Sequence, residues 1–468
     1  MTTADSLSTR FADLSVAAEF SSLPEITRQA ARLHWLDGLG VTAGGYASEA
    51  GAVARRYLAK VTGSGAERDV LLPGRDGSRP DDDAFLFGTY AFSENYGDTS
   101  LRSVAHPNTV VVPALLAAAR SRVVTGERLL AALVVGYQVM EFLARSLNNG
   151  SPRMGHQIRG FRPSASAGAV GAAAAVAHAW GLPAATTQTA IEIACNYGGG
   201  LRRHAPGPAS SIRVHSGESA RGGVTAVMLA LSGLEGEAGM IEGDGGFLRA
   251  YMADAVDSGA EDYLGPDTWA VGDVAFKLHS TAHTLHTALD CLLDLCEEGL
   301  EAESIEQMEI RIPDQHATIS AATPYTSPTT AAAAGGSYPF CAGVATVTGD
   351  YLWPEQLAGH LGHAEVERIA AATRVVVDSE QSAIFDRDPG TWPATVEVRA
   401  SGRTWQRGRR EPRGLHIDEQ LEQDLIRKFV RLASRISSED QAVSLASSAL
   451  DIESAPDAFA VLASSTGG

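Results

Sequence analysis

Alanine and glycine recur through several long apolar segments, and this feature most restricts what the chain can fold into. Apolar residues repeat at helical spacing in the segments GERLLAALVVGYQVMEFLARSL, SAGAVGAAAAVAHAWGL, ESARGGVTAVMLALSGL and STAHTLHTALDCLLDLCEEG. Small side chains on these helices let the helix axes approach one another closely. The pattern therefore predicts a compact domain made of many packed helices.

The segment SSLPEITRQAARLHWLDGLG carries the clearest signal for the start of a helix. Ser22 and Glu25 have the spacing of a capping box, in which each side chain bonds the backbone N–H of the other residue. Ile26, Ala30 and Leu33 then follow at helical spacing, and a glycine ends the pattern. We expect a helix with Ser22 as its N-cap.

Strand-like segments appear after about residue 300. QMEIRIP alternates between apolar and polar residues, TRVVVD is a β-branched run, and ATVEVRASGRTWQRGRRE is typical of a hairpin that turns at Ser401 and Gly402. These strands predict a smaller α+β domain. The helical pattern returns from RGLHIDEQLEQDLIRKFVRLAS to the end, so we expect the last segment to rejoin the first domain.

The charge balance limits the partners of the protein. The chain has 468 residues, of which 44% are hydrophobic, and its 56 acidic and 37 basic residues leave a net charge of −19. This charge repels nucleic acid and anionic membrane surfaces, whereas a local basic pocket can still attract a small acidic substrate. The first residues lack a secretory signal, which favours the cytoplasm. The four cysteines form no CxxC pair, so we expect them to be core residues.

A polar segment, ENYGDTSLRSVAHPNTVVVP, precedes an apolar helix and contains Asp98, Thr99, Arg102 and His106. It is either a polar loop that leads into a core helix or one wall of an active site. Proline after His106 is favoured in the first turn of a helix, so the imidazole should stand where free N–H groups attract anions. His106 could also cap that helix for folding alone, and Asp98 could stabilise an Asx turn.

Four blocks of sequence together resemble the MmgE/PrpD family, which contains 2-methylcitrate dehydratase, cis-aconitate decarboxylase and iminodisuccinate epimerase. The blocks are LHWLDGLGVTAGG, GDTSLRSVAHPNTVVVPALLAAA, HSGESARGGVTAVMLA and VAFKLHSTAHTLHTALD. The resemblance implies a mainly α fold, in which residues 1–270 and 407–468 form one all-helical domain and residues 271–406 form an inserted α+β lid. It also implies an active site in the cleft between them, a homodimer, and catalysis without a metal or organic cofactor.

Reactions of this family begin at the carbon next to a carboxylate, where a base removes a proton. Such a site needs a base, donors for the developing negative charge and an acid for a leaving hydroxyl. Histidine suits the base because its ordinary pKa is near neutral. The resemblance makes His106 the catalytic base or acid, with Thr99 and Asp98 binding the substrate or orienting the imidazole.

The chain departs from the decarboxylase branch at two positions of its catalytic pattern. Asn95 stands where that branch has an acid, and Arg162 stands where it has a catalytic histidine. Asparagine cannot act as an anionic base, whereas arginine can hold a carboxylate through two hydrogen bonds.

Two further positions depend on the helix register. Ile212 stands at the lysine of the decarboxylase branch with Arg213 beside it, and Ala282 stands at its lid histidine with His283 beside it. A shift of one residue lets Arg213 and His283 take over these roles; otherwise the roles are missing.

We therefore expect a lyase that eliminates water from a small hydroxy-carboxylate. His106 and His283 are the expected acid–base pair, and the expected substrate-binding residues are Asn95, Arg102, Arg162, Arg213 and Lys277. Decarboxylation, epimerisation, isomerisation and cyclisation share the first proton abstraction and stay open. A non-catalytic binding paralogue is a further alternative.

A zinc site is the other chemistry that the sequence allows. His279, His283 and His286 would lie along one face of a continuous helix. The segment lacks the glutamate of HExxH and crosses the expected lid junction, so we expect no metal there.

Overall fold

Helices form most of the computed structural model, which describes residues 6–63, 71–72, 74–148, 154–202, 211–252, 268–320 and 326–465. This confirms the mainly α prediction. The helices before residue 268 are α1 (Leu7–Ala17), α2 (Glu25–Tyr46), α3 (Glu49–Thr62), α4 (Pro80–Phe92), α5 (Val111–Ser121), α6 (Gly126–Asn148), α7 (Gly155–Ile158), α8 (Pro163–Ala179), α9 (Ala184–Ala194), α10 (His215–Leu231) and α11 (Phe247–Tyr251).

The second part of the chain mixes helices with strands and ends in helices. Its helices are α12 (His286–Glu297), α13 (Asp314–Ser320), α14 (Ala331–Ala334), α15 (Tyr338–Thr348), α16 (Pro354–Gly359), α17 (Ala364–Ala372), α18 (Ser379–Arg387), α19 (Glu419–Ala433), α20 (Glu439–Leu450) and α21 (Ala458–Ser465). The strands within the described residues are β1 (Thr99–Ser100), β2 (Val274–Ala275), β3 (Ile305–Ile312), β4 (Thr373–Val377), β5 (Ala394–Ala400) and β6 (Arg403–Arg409).

Close contact between helices depends on small residues, as the sequence predicts. Helix α10 packs on α4 and α8, and α6 packs on α8. At the crossing of α4 and α10, a Cβ atom added to Gly88 would lie 2.8 Å from the Cα of Gly217. Any larger side chain there would push the two helices apart.

Helices from both ends of the chain share one hydrophobic core. Helix α19 packs on α2, and buried residues of α19, α20 and α21 belong to the same cluster as those of α2, α5 and α6. A second cluster extends from Leu285 to Ala400 around the larger sheet. The domain boundaries at residues 271 and 406 stay predictions, and this second cluster falls between them.

The start of α2 differs from its prediction. The helix is present, and Ala30 and Leu33 are buried, but Ile26 is exposed. Pro24 is the N-cap residue and provides no side-chain hydrogen bond. Ser22 lies in a short 3-10 turn and donates its hydroxyl to the carbonyl of Glu19 instead. The expected capping box is therefore wrong, because Ser22 belongs to the 3-10 turn and lies two residues before the N-cap position.

The larger sheet has the strand order β4-β3-β5-β6. Strands β3 and β4 are parallel, whereas β5 is antiparallel to both β3 and β6. The β5–β6 connection confirms the predicted hairpin: Ser401 has φ 50° and Gly402 has φ 71°. Two left-handed residues in a two-residue loop match the twist of the strands that it joins.

A small set of contacts links the helical body to the later segment. Strands β1 and β2 pair antiparallel, with Thr99 opposite Ala275. The indole N–H of Trp392 donates to the carbonyl of Leu101 over 3.0 Å, and the two side chains share a small buried cluster. These contacts hold the polar segment that begins at Glu94 against strand β2 and against Trp392.

Among the described helices, only α6 is long and apolar enough to cross a membrane. Its apolar stretch is wholly buried inside the protein, which is the position of a core helix. Three of the four cysteines, Cys195, Cys291 and Cys341, are buried and Cys296 is partly buried, and none is in a disulfide. The cysteine prediction is confirmed for the three buried residues.

Candidate functional site

The polar loop before α5 has an unusual backbone that presents its side chains. Asn95 and Val104 have φ 54° and 57°, in the left-handed region that a β-branched valine rarely adopts. The turn is held by Val104 N–H donating to Ser100 O over 2.8 Å and by Ser100 N–H donating to Ala105 O over 2.9 Å. Such strain is typical of loops that place functional groups.

His106 follows this turn and is buried, with one ring nitrogen fixed. Its Nδ1 lies 2.7 Å from the carbonyl oxygen of Asp98 and 2.9 Å from Oγ1 of Thr99. A carbonyl can only accept, so Nδ1 carries the hydrogen and Nε2 keeps its lone pair. Burial lowers the pKa of His106 well below 6.5, Lys277 and Arg162 add to this, and the bond to Asp98 opposes it.

Asp98 contributes its backbone, not its carboxylate, to His106. The carboxylate is fully buried and accepts hydrogen bonds from the Tyr137 hydroxyl over 2.6 Å and from the Asn108 N–H over 3.0 Å. Its Oδ2 also lies 3.0 Å from Nδ1 of His34. The suggestion that this carboxylate binds substrate is therefore wrong, because its oxygens are occupied in the core; Asp98 and Thr99 orient the imidazole.

Two arginines meet near His106 at the ring of Phe92. The guanidinium carbons of Arg162 and Arg213 lie 5.4 and 5.9 Å from the ring centre, and the His106 ring centre lies 5.6 Å from it. Burial and the charge of Arg213 lower the pKa of Arg162 to about 10, and burial lowers that of Arg213 to about 10 although Glu94 opposes it. No carboxylate lies within ion-pair distance of either arginine among the described residues.

Lys277 lies near enough to Arg162 and Arg213 for their charges to interact, and it bonds Asn95. Its ammonium donates to the backbone and side-chain oxygens of Asn95, each over 2.9 Å, and to the carbonyl of Thr281 over 3.1 Å. All three acceptors are neutral, so none of these hydrogen bonds pairs the ammonium with a negative charge. Burial lowers the pKa of Lys277 well below its ordinary value, with further lowering by Lys428, Arg162 and Arg213.

His283 lies in a buried group of aromatic rings beside the loop. Its ring centre is 4.2 Å from that of His286 and 5.6 Å from that of Trp392. Neither ring nitrogen of His283 has a hydrogen-bond partner in the described structure. Burial lowers the pKa of His283 well below its ordinary value, and the charges of Lys277 and His106 add to the effect. His283 is therefore near the cluster and has both nitrogens available.

The three histidines of the zinc alternative do not share a helix. His283 opens a 3-10 turn, and α12 begins only at His286. His279 is already engaged, because Nδ1 accepts the Leu352 N–H over 3.2 Å and Nε2 lies 3.2 Å from Asp290. Across the described ranges no group of three His, Cys, Asp or Glu side chains could hold a metal ion.

Arg102 is separate from the cluster. Its guanidinium forms an ion pair of 2.9 Å with Asp388, and a Cβ atom on Gly390 would lie within 3 Å of it. This contact joins the loop to the later segment, and the expectation that Arg102 binds substrate stays a prediction. The other expected residues, namely Asn95, Thr99, His106, Arg162, Arg213, Lys277 and His283, lie in one connected region.

Several residues of this region were not expected from the sequence. Phe92 is the ring that Arg162, Arg213 and His106 share, and Lys428 contacts the backbone of Lys277 from α19. His316 packs 4.7 Å from the ring of Trp392. The sequence offers no signal for Lys428, because its partners lie 332 and 151 residues away along the chain.

Comparison with known proteins gives matches over most of the chain. The N-terminal domain of the MmgE/PrpD family matches residues 9–258, and its C-terminal domain matches residues 279–452. Cis-aconitate decarboxylase from Homo sapiens is 27% identical over 303 residues, which are 60% of this chain and 58% of the relative. The cis-aconitate decarboxylase-like protein oryM from Aspergillus oryzae is 27% identical over 248 residues, 48% of each chain. The chain thus spans about half the length of the curated relatives it matches.

Proposed function

Because the chain belongs to the MmgE/PrpD family, we propose that it is a lyase that removes a proton from the carbon next to a carboxylate of a small acid. The observation that carries this proposal is the state of His106. Its Nδ1 is committed to the carbonyl of Asp98 over 2.7 Å, so Nε2 is the basic atom. No described residue bonds Nε2, which leaves it for a substrate C–H bond.

The surrounding cations supply the second requirement of this chemistry. No described carboxylate forms an ion pair with Arg162, Arg213 or Lys277, and buried charges of one sign are costly unless an anion joins them. A substrate carboxylate would neutralise them and would have its developing negative charge stabilised as the proton leaves. Burial, together with the charges of Lys277 and Arg162, lowers the pKa of His106 and so favours the neutral imidazole, which is the form that accepts a proton.

Loss of a hydroxyl from the neighbouring carbon would complete a dehydration. His283 is buried near His106 and no described residue bonds either ring nitrogen, so we assign it a hydrogen bond to the leaving hydroxyl. Its lowered pKa keeps this ring neutral, so the proton that leaves with the hydroxyl is the one that His106 has taken from the substrate. Decarboxylation is the second candidate, since the relatives described above are a cis-aconitate decarboxylase and a cis-aconitate decarboxylase-like protein. Asn95 and Arg162 weigh against that reaction because neither side chain can replace an acid or a histidine in proton transfer. A cytoplasmic homodimer without cofactor is part of the proposal.

Proton exchange tests the proposal directly. The protein is incubated in deuterated water with a panel of small hydroxy-carboxylates. We expect it to exchange the α-proton of at least one of these acids, and nuclear magnetic resonance measures the loss of that proton signal. A lyase and an epimerase both pass through this step, whereas a binding paralogue does not. Failure of every acid to exchange, with binding still measurable by calorimetry, would support the binding paralogue and contradict the proposed lyase.

The pH profile should report the low pKa of His106. Only the neutral imidazole is active, and a depressed pKa keeps it neutral at lower pH, so the acidic limb of kcat/KM should lie below 6.5. Lys277→Gln removes a nearby positive charge and should move that limb to higher pH. Lys60→Gln, at an exposed position in α3, should leave it unchanged. A limb at or above 6.5 that Lys277→Gln does not move would exclude His106 as this base.

A further inference from the structure

A cavity of about 830 Å³ opens next to the cationic group. Its walls come from the first half of α3, the start of α10, and the segments 331–335 and 354–358. Asn95 and Arg213 belong both to the cavity wall and to the group around His106. This volume is within the range of pockets that hold drug-sized ligands, and a small acid alone would leave most of it empty.

Much of the cavity wall is apolar. It includes the side chains of Ala50, Val53, Tyr57, Val214 and Leu357. Val53, Tyr57 and Val214 are 50%, 45% and 39% exposed although they are apolar. Exposed apolar side chains that line one concave surface indicate a binding site, whereas single exposed ones do not.

Among the charged side chains that line the cavity, Arg213 is the cation that we expect to bind an anionic ligand. Glu94 pairs with Arg435 over 2.6 Å, and Glu355 pairs with Arg431 over 2.6 Å. Glu218 lies 3.5 Å from Arg221, and Glu49 is exposed to solvent in the first turn of α3. Among the described residues, the one hydrogen-bond partner of Arg213 is a neutral group, the carbonyl of Phe92, over 3.2 Å.

We infer that the substrate is a carboxylate with an alkyl substituent of several carbons, which lies in this cavity while the acid group meets Arg213. The inference rests on the proposed function for the placement of the acid beside His106. It adds the substrate class, because a hydrocarbon chain is the group that an apolar wall binds without leaving polar atoms unpaired.

Binding of straight-chain alkylsuccinates, from methyl to octyl, tests the inference by calorimetry. Each methylene buried contributes about 0.8 kcal/mol, so affinity should rise about fourfold per carbon until the cavity is full. Arg213→Gln should weaken every member of the series by a similar factor. An affinity that does not change with chain length would overturn the inference.

Variants of the wall separate the cavity from general apolar binding. Ala50→Trp fills the cavity from α3, and Ala358→Trp fills it from the opposite wall at an exposed position. Each should weaken octylsuccinate at least tenfold and leave methylsuccinate within twofold. Val61→Trp, on the same helix but outside the cavity, should change neither affinity. Equal affinity of all three variants for octylsuccinate would contradict the assignment.

The two proposals fail in different ways. If small hydroxy-acids exchange their α-proton but affinity does not depend on chain length, the lyase proposal is supported and the alkyl substrate is contradicted. If affinity rises with chain length but no acid exchanges its α-proton, the assignment of the cavity is supported and the lyase proposal is contradicted.

Discussion

His106→Asn is expected to lower the rate of α-proton exchange by about 10²- to 10⁴-fold, the usual contribution of a general acid or base. The asparagine amide can donate to the carbonyl of Asp98 as Nδ1 of the imidazole does over 2.7 Å. It offers no basic nitrogen in place of Nε2. The variant therefore removes the base and keeps the contact that orients it. Exchange is measured by nuclear magnetic resonance in deuterated water.

His178→Asn is the matched control for this experiment. His178 is also buried, and its Nδ1 lies 2.6 Å from a backbone carbonyl, that of Ser15. It lies in the last turn of α8, away from the loop that carries His106. We expect this variant to keep its exchange rate within about threefold when both proteins have matching circular dichroism spectra. Equal losses in the two variants would show that His106 acts through folding alone.

The position of His106 could be predicted because its signal is local. The neighbouring proline places the residue at a helix start, and the structure has a 3-10 turn at Pro107–Thr109 followed by α5. The interpretation that the Asp98 carboxylate binds substrate was wrong because its partners are distant in sequence. Tyr137 and His34, which engage its carboxylate, lie on two other helices, so no pattern near Asp98 in the sequence indicates them.

The difference between local signals and contacts that are distant in sequence also applies to the fold. The hairpin at Ser401 and Gly402 was predictable because turn type depends on adjacent residues. The pairing of β1 with β2 was not, since each strand has only two residues and Thr99 lies far along the chain from Ala275. That short ladder brings the loop of His106 to the segment of Lys277, and so the assembly of the site depended on contacts that sequence spacing does not show.

The arrangement of charge explains why the site can hold several cations before a substrate arrives. Lys428 lies behind Lys277 and is neutralised by Asp37 at 2.7 Å, while its ammonium also donates to the carbonyl of Lys277. Arg162, Arg213 and Lys277, which lie nearer to His106, have no such partner in the part of the chain that the structure describes. Charge is therefore balanced in the core and left unbalanced where the proposed carboxylate binds.

Lys428→Met should lower the free energy of unfolding by about 3–5 kcal/mol, because it leaves the buried carboxylate of Asp37 without its partner. Lys428 is 1% exposed, and its ammonium also donates to the carbonyl of Tyr96 over 2.7 Å. Urea unfolding measures the loss. Arg431→Met, on the same helix, breaks the exposed pair with Glu355 and should cost less than about 1 kcal/mol.

A double variant distinguishes the ion pair from simple packing. Asp37→Leu with Lys428→Met removes both buried charges, and such replacements are often neutral or stabilising in other proteins. We expect the double variant to recover part of the stability that Lys428→Met loses. Loss of Lys428 also frees the carbonyls of Tyr96 and Lys277, which flank Asn95 and the proposed site. Proton exchange should then stay low in the double variant even where stability returns, because the backbone that holds Lys277 has lost its support.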